Sequence, residues 1–322
     1  MPRILLTNKY SSPVLEVVKS LLPAGFEFDS LDSSAKESLL KKAPLADYFL
    51  ASGRLKIDKA IIDAAVNLKM IQRTGVGTDT LDLETLKNRN IPVYVNKGVN
   101  SVAVAEHTIL LLFSTLRKLP MADSSVRDGV WKKNDIGIEC HSLENKNIGL
   151  VGLGNIGLNV ARMLKPFNVK IYYSDISRQP LEIEEKFNLQ YSDFNELLPK
   201  VDILSLHCPL TLETRGILGK EEFKVMKNSA FVINTGRGSL IKQSELIAAL
   251  KNKEIAGVGL DVFENEPIEK DNLLFEMKNV VLTPHVGGLT IETFSKMIRD
   301  AFSNIELFEK GEFKKIENKL LK

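Results

Sequence analysis

The chain has 322 residues, more than one ordinary core needs and enough for two α/β domains. Its 43 basic and 41 acidic side chains are interspersed and leave a net charge of +2, which excludes a nucleic-acid-binding stripe and an acidic solvating tail. An apolar content of 44% is that of a globular chain, and two cysteines are too few for a disulfide framework or a four-cysteine zinc site, so the expectation is a globular chain without metal in the reducing cytoplasm.

In chain order, short apolar runs alternate with amphipathic stretches. A strand over residues 4–7 opens the chain and is too soon interrupted by Asn8 and Lys9 to be a signal peptide. Helices follow over 13–22 and 34–42, a strand over 48–51, a helix over 58–65, a strand over 70–73, a helix over 81–89 and a strand over 93–96. This is the rhythm of βαβ units around a parallel sheet. A long apolar helix from about Ser101 to Arg117 contains Glu106 and His107 and is short of the roughly 20 residues that span a bilayer. The stretch 120–145, around the lone Trp131, is polar and reads as an irregular excursion. A second α/β pattern begins at Asn147, with strands over 148–151, 170–173, 203–206, 231–234, 258–261 and 280–283 forming a six-stranded set. Its helices fall over 156–167, 193–198 and 244–251. The last amphipathic helix, 291–308, is left over and is expected to return to the first sheet.

The fold expected is therefore α/β with two doubly wound parallel-sheet domains. Residues 1–98 with 287–322 form a flavodoxin-like substrate domain, and residues 99–286 a Rossmann dinucleotide-binding domain.

Gly152, Gly154 and Gly157 make a Gly-Leu-Gly-Asn-Ile-Gly loop directly after an apolar strand and at the start of a helix. In that context the first glycine allows the tight turn, the second the approach of a pyrophosphate, and the third the close packing of helix on strand, while the helix N-terminus meets the anion. Asp175 follows at the end of the next strand. A carboxylate there accepts hydrogen bonds from a ribose and repels a 2′-phosphate, which favours NAD over NADP; Arg178 stands close by.

Three later strand ends carry polar residues. Asn-Thr-Gly-Arg-Gly places Arg237 after one strand, Gly-Leu-Asp-Val-Phe-Glu-Asn-Glu-Pro places Asp261 and Glu266 after another, and Thr-Pro-His-Val-Gly-Gly places His285 after a third. A guanidinium, two carboxylates and an imidazole thus converge on the nicotinamide end of a dinucleotide crevice.

These motifs, with Arg-Thr-Gly-Val-Gly-Thr-Asp (Arg73 to Asp79) and Asp-Ile-Leu-Ser-Leu-His-Cys-Pro-Leu-Thr (Asp202 to Thr211), together resemble the D-isomer-specific 2-hydroxyacid dehydrogenase family. That family includes 3-phosphoglycerate dehydrogenase, glycerate dehydrogenase and glyoxylate/hydroxypyruvate reductase. The resemblance implies an NAD-dependent oxidoreductase that interconverts a small 2-oxo acid and its D-2-hydroxy acid. Arg237 would bind the carboxylate and polarise the carbonyl, a task suited to a planar fork that is always charged. His285 would be the general acid in reduction and the base in oxidation, oriented by Glu266. The substrate carboxylate would also meet Arg73 and the amides of Val76 and Gly77. Cofactor contacts are implied at Gly152, Gly154, Asn155, Ile156, Gly157, Asp175, His207, Cys208, Pro209, Thr214, Thr235, Asp261, His285 and Gly287. Asp261 is expected to hold the nicotinamide carboxamide and Cys208 to be a pocket wall, while His107 reads as a packing residue and His141 is assigned nothing.

The substrate loop most resembles that of the phosphoglycerate dehydrogenases, with Arg73 and either Arg54 or Lys56 to meet a phosphate. Ser52 stands where an arginine is expected, so hydroxypyruvate or glyoxylate is the alternative acid. A reading of another class, an NAD-sensing binding protein similar to the family's corepressor relatives, would call for a partner-binding tail or cleft, and the chain has no long tail. The family implies a homodimer, with the excursion around Trp131 as the candidate arm.

Overall fold

A computed structural model describes residues 1–53 and 55–321, with the side chain of residue 321 left aside. The chain divides into two compact units, one of residues Met1–Asn100 with Leu289–Lys322 and the other of residues Ser101–Gly288.

The first unit opens with β1 (Arg3–Leu6), α1 (Ser12–Ser20), β2 (Glu27–Ser30), α2 (Lys36–Lys42) and β3 (Tyr48–Ala51). It continues through α3 (Lys59–Ala64), β4 (Met70–Arg73), α4 (Leu83–Asn88) and β5 (Val93–Tyr94). In the second unit come α5 (Ser101–Leu116), α6 (Leu119–Arg127), α7 (Lys133–Gly137), β6 (Asn147–Val151), α8 (Asn155–Leu164), β7 (Lys170–Ser174), α9 (Leu181–Phe187) and β8 (Leu189–Tyr191). They are followed by α10 (Phe194–Leu197), β9 (Ile203–Leu206), α11 (Lys220–Val225), β10 (Phe231–Asn234), α12 (Gln243–Lys251), β11 (Gly257–Leu260) and β12 (Val280–Leu282). The chain then returns to the first unit with α13 (Ile291–Glu309) and β13 (Lys319–Leu321).

The first sheet has the order β13-β5-β4-β3-β1-β2, a doubly wound arrangement that is parallel except for β13, which pairs antiparallel with β5. Alternation along its strands sends side chains to two cores. Ile4, Leu6, Tyr48 and Leu50 lie against Ile298, Phe302 and Ile305 of α13, while Leu5, Phe49, Ile71 and Val93 lie against α2, α3 and α4. Each such side chain contributes about 1.5–3 kcal/mol on burial, which is why the late helix α13 belongs to this unit.

The second sheet has the order β12-β11-β10-β9-β6-β7-β8, all parallel. The strand order reverses between β9 and β6, and open α/β sheets bind ligands beyond the carboxyl ends of the strands at such a point. Ile148, Leu150 and Ile233 meet α5 and α8 on one face, and Leu204, Val232 and Val258 meet α11 and α12 on the other.

Three expectations are corrected. The second sheet has seven strands instead of six, because the three-residue β8, which follows the unanticipated α9, pairs in parallel with β7 and forms the sheet's edge. Residues 120–145 are not irregular throughout, since α6 and α7 occupy part of them, α6 starting after a left-handed Lys118. Strand β2, over Glu27–Ser30, was not anticipated in the first sheet. No helix among the described residues is long and apolar enough to cross a membrane.

Candidate active site

The glycine loop connects β6 to α8. Gly152 has φ +91°, a left-handed value disfavoured for other residues, and a Cβ added to it would lie 2.6 Å from the Cys208 backbone nitrogen. At Gly157 an added Cβ would lie 2.3 Å from the Gly152 carbonyl oxygen, so neither position admits a side chain. Gly154, the N-cap of α8, has nothing within 4 Å of where a Cβ would sit. Two glycines packed shut and one facing open space at a helix N-terminus fit a pyrophosphate. Asp175 Oδ2 accepts the Leu153 amide at 2.6 Å, which fixes its carboxylate beside this loop. Arg178 is held by a bidentate pair with Glu184, at 2.9 Å and 2.9 Å, and Glu184 also accepts from the Tyr173 hydroxyl at 2.6 Å. Those two donors, the guanidinium foremost, pull the Glu184 carboxyl down to about 2.

The next strand end, after β9, holds His207, Cys208 and Pro209. The His207 amide donates to the Val151 carbonyl at 2.7 Å and its Nε2 meets Ser205 Oγ at 2.9 Å. Burial lowers the imidazole to about 4 and raises the Cys208 thiol to about 11, so His207 is neutral and Cys208 remains a thiol. Thr214 Oγ1 donates to the Pro209 carbonyl at 2.7 Å, closing this loop. Asn155 and Ile156 form the first turn of α8.

Arg237 follows β10. The Asn234 side chain shapes its loop, accepting the Gly236 amide at 3.0 Å and donating to the Arg237 carbonyl at 2.9 Å. Arg237 Nη1 donates to the Gly236 carbonyl at 2.8 Å. A Cβ on the following Gly238 would lie 1.8 Å from the Phe263 carbonyl carbon, so the loop carrying Arg237 is pressed against the loop that carries Glu266. Thr235 meets Thr108 of α5, hydroxyl to hydroxyl, at 2.8 Å.

Glu266 and His285 pair directly, His285 Nδ1 lying 2.6 Å from Glu266 Oε2, and Glu266 Oε1 accepts the Phe263 amide at 3.0 Å. Burial pushes the Glu266 carboxyl up, but the His285 hydrogen bond and charge, the Phe263 amide and the Arg237 charge together hold it below the ordinary glutamate value. His285 itself has φ +55°, a strained backbone for a residue with a Cβ, which costs on the order of 1–3 kcal/mol and persists where its surroundings over-determine it.

Those surroundings centre on Asp261, whose carboxylate is 2% exposed. It accepts from Thr283 Oγ1 at 2.6 Å, the Val286 amide at 2.9 Å and the Gly287 amide at 2.8 Å, and its carbonyl accepts the His285 amide at 2.8 Å. His107 Nε2 lies 2.9 Å from Thr283 Oγ1 and 3.3 Å from Asp261 Oδ1. Burial would raise the Asp261 carboxyl; these donors, His107 first, hold it down. The expected role of Asp261 on a carboxamide thus meets a carboxylate already engaged by the chain. His107 and Thr283 were not singled out for the site from the sequence, although the consecutive polar residues Glu106, His107 and Thr108 in a mostly apolar helix were a signal.

Arg73, Val76 and Gly77 lie in the first unit. Arg73 is 2% exposed, and its Nη1 donates to the Ser52 carbonyl at 2.6 Å and to Thr80 Oγ1 at 3.3 Å. Val76 is exposed at 43% and Lys56 is exposed; Arg54 lies outside the described residues. His141, outside the site, packs edge-on against Phe231 with ring centres 5.2 Å apart.

Residues 109–287 match the profile described as D-isomer specific 2-hydroxyacid dehydrogenase, NAD binding domain. A glyoxylate reductase of Thermococcus litoralis is 40% identical over 85% of this chain and 84% of its own length. The chain belongs to the D-isomer specific 2-hydroxyacid dehydrogenase family. A D-3-phosphoglycerate dehydrogenase of Archaeoglobus fulgidus is 36% identical over 86% of this chain but only 52% of its own length. The solved NAD-dependent formate dehydrogenase of Staphylococcus aureus, in complex with NAD, superposes with a TM-score of 0.85 at 29% identity, covering 97% of this chain and 96% of its own. The protein is an NAD-dependent 2-hydroxyacid dehydrogenase with NAD as cofactor, and the bound cofactor supplies the hydride in the reducing direction.

Proposed function

We propose that this dehydrogenase reduces a small, unphosphorylated 2-oxo acid of the glyoxylate and hydroxypyruvate class to its D-2-hydroxy acid. The observation that carries the choice of acid is Arg73, the cation nearest in sequence to the substrate loop. It is buried and donates to Ser52 and Thr80, which makes it a strut of that loop instead of a phosphate ligand. Ser52, near where the family resemblance leads to the expectation of an arginine, is itself 9% exposed. The glyoxylate reductase name of the Thermococcus litoralis relative supports the same acid.

In this reading residues 1–98 with 287–322 supply the substrate side, where the Val76 and Gly77 amides receive the carboxylate, and residues 99–286 supply the cofactor side. Arg237 spans the carboxylate and the keto oxygen. His285, with Nδ1 on Glu266, presents Nε2 to the keto oxygen and gives it a proton as negative charge develops there.

NADH oxidation with glyoxylate, hydroxypyruvate and 3-phosphohydroxypyruvate in parallel tests the substrate. The first two should show the higher kcat/KM, and a clear preference for the phosphorylated acid contradicts the reading. The active form is a homodimer paired through residues 120–145, where Val126, Trp131 and Ile138 are 59%, 81% and 86% exposed. Sedimentation should show a dimer that Ile138→Glu converts to a monomer; a monomeric wild type contradicts it. The two cysteines are free, in keeping with a reducing compartment such as the cytoplasm.

A further inference from the structure

We propose that His107 is a positioning residue for the turn that carries His285, acting through Thr283 and Asp261. The proposal rests on the assignment of His285 and Glu266 as the proton-transfer pair.

The hydrogen-bond pattern gives His107 a definite task. Thr283 Oγ1 donates its hydrogen to Asp261 Oδ1 at 2.6 Å, so its lone pairs face His107 Nε2 at 2.9 Å, and the ring proton of His107 belongs on Nε2. The relay runs from imidazole to hydroxyl to carboxylate, and the carboxylate receives the Val286 and Gly287 amides directly after His285. The imidazole is also a steric support, since a Cβ added to Gly287 would lie 3.2 Å from His107 Cδ2.

The left-handed backbone of His285 is thereby held from below by three successive amides on Asp261, and Asp261 is held by α5. The next residue of α5, Thr108, bonds Thr235 two positions before Arg237. Consecutive residues of one helix thus tie down the loops of the acid and of the substrate-binding arginine. Removing His107 takes away one of the two partners of Thr283 Oγ1 and the 3.3 Å contact of Nε2 with Asp261 Oδ1, so the turn is free to relax and the Nδ1–Oε2 alignment of 2.6 Å loosens.

The test uses the full-length protein, with NMR of its four histidines in the absence of substrate and steady-state turnover alongside. The low-field Nδ1 proton of His285 is assigned by its loss in His285→Gln. In His107→Ala this resonance should shift or broaden and kcat should fall by about tenfold to 10²-fold, as a small misplacement of a reacting group does, with the NADH Kd little changed. His107→Gln, which returns an N–H donor to Thr283, should restore both. Thr283→Val removes the hydroxyl from the relay and leaves the 3.3 Å contact of His107 with Asp261, so it should give part of the effect, and the double variant should lose less than the sum of the two. A wild-type resonance in His107→Ala, a loss of Tm alone, or a His107→Gln that behaves like His107→Ala overturns the proposal. Full turnover by His285→Gln would instead refute the acid assignment, and the resonance would still report on the positioning.

Discussion

His285 Nδ1 lies 2.6 Å from one carboxylate oxygen of Glu266 while the other accepts the Phe263 backbone amide at 3.0 Å, so a single side chain fixes the imidazole to the loop after β11. Glu266→Gln retains the shape and an acceptor for Phe263 but removes the carboxylate charge 2.6 Å from His285 Nδ1. Its kcat should fall by about 10²-fold or more, within the range for general acid catalysis, with the NADH Kd nearly unchanged. Steady-state kinetics together with fluorescence titration of NADH checks both.

The same pair makes stability depend on acid. The folded-state Glu266 carboxyl is lowered from its ordinary 4.5, with burial opposing and His285, Phe263 and Arg237 outweighing it. The stabilisation is therefore present above the ordinary value and is lost as pH falls below 4.5 through the folded value. Thermal denaturation from neutral pH to below that value should show the wild type more stable than Glu266→Gln at neutrality and the two converging in acid. Asp261, whose carboxyl is also lowered, is common to both proteins and does not obscure the difference.

Arg237→Lys keeps the charge and loses the fork. A lysine cannot hold a carboxylate and a keto oxygen at once, so the loss should appear in KM for the oxo acid as well as in kcat, with kcat/KM reduced by about 10²–10³-fold. NADH affinity should move little. A variant with an unchanged kcat/KM would remove Arg237 from the substrate site.

Asp175, fixed by the Leu153 amide at 2.6 Å, is the residue expected to set cofactor choice, while Arg178 is occupied by Glu184. Asp175→Ser removes the charge that repels a 2′-phosphate but leaves Arg178 engaged. The ratio of NADPH to NADH dissociation constants should fall by about tenfold, an energy of about 1.4 kcal/mol, and fall further when Glu184→Gln frees the guanidinium.

The second unit is legible in the sequence because its chemistry lies at strand ends announced by glycines: Gly152 and Gly157 admit no side chain, and Gly238 abuts Phe263. Strand β8 was missed because Leu-Gln-Tyr is too short for an alternation to register, and it forms only as an edge on β7. The burial of Arg73 could not be read either: a guanidinium in a loop motif suggests an exposed cation, whereas its side chain is 2% exposed and donates to the Ser52 carbonyl. His107 escaped for a different reason. Its partner Thr283 is 176 residues away, and no local pattern encodes a contact of that span.

Turnover by His285→Gln with the oxo acid that the wild type prefers, alongside its NADH Kd, tests whether His285 supplies the proton. A loss of about 10²–10⁴-fold in kcat with NADH bound as tightly as by the wild type is expected of a general acid. Turnover within a few fold of the wild type would contradict it and place the proton donor elsewhere.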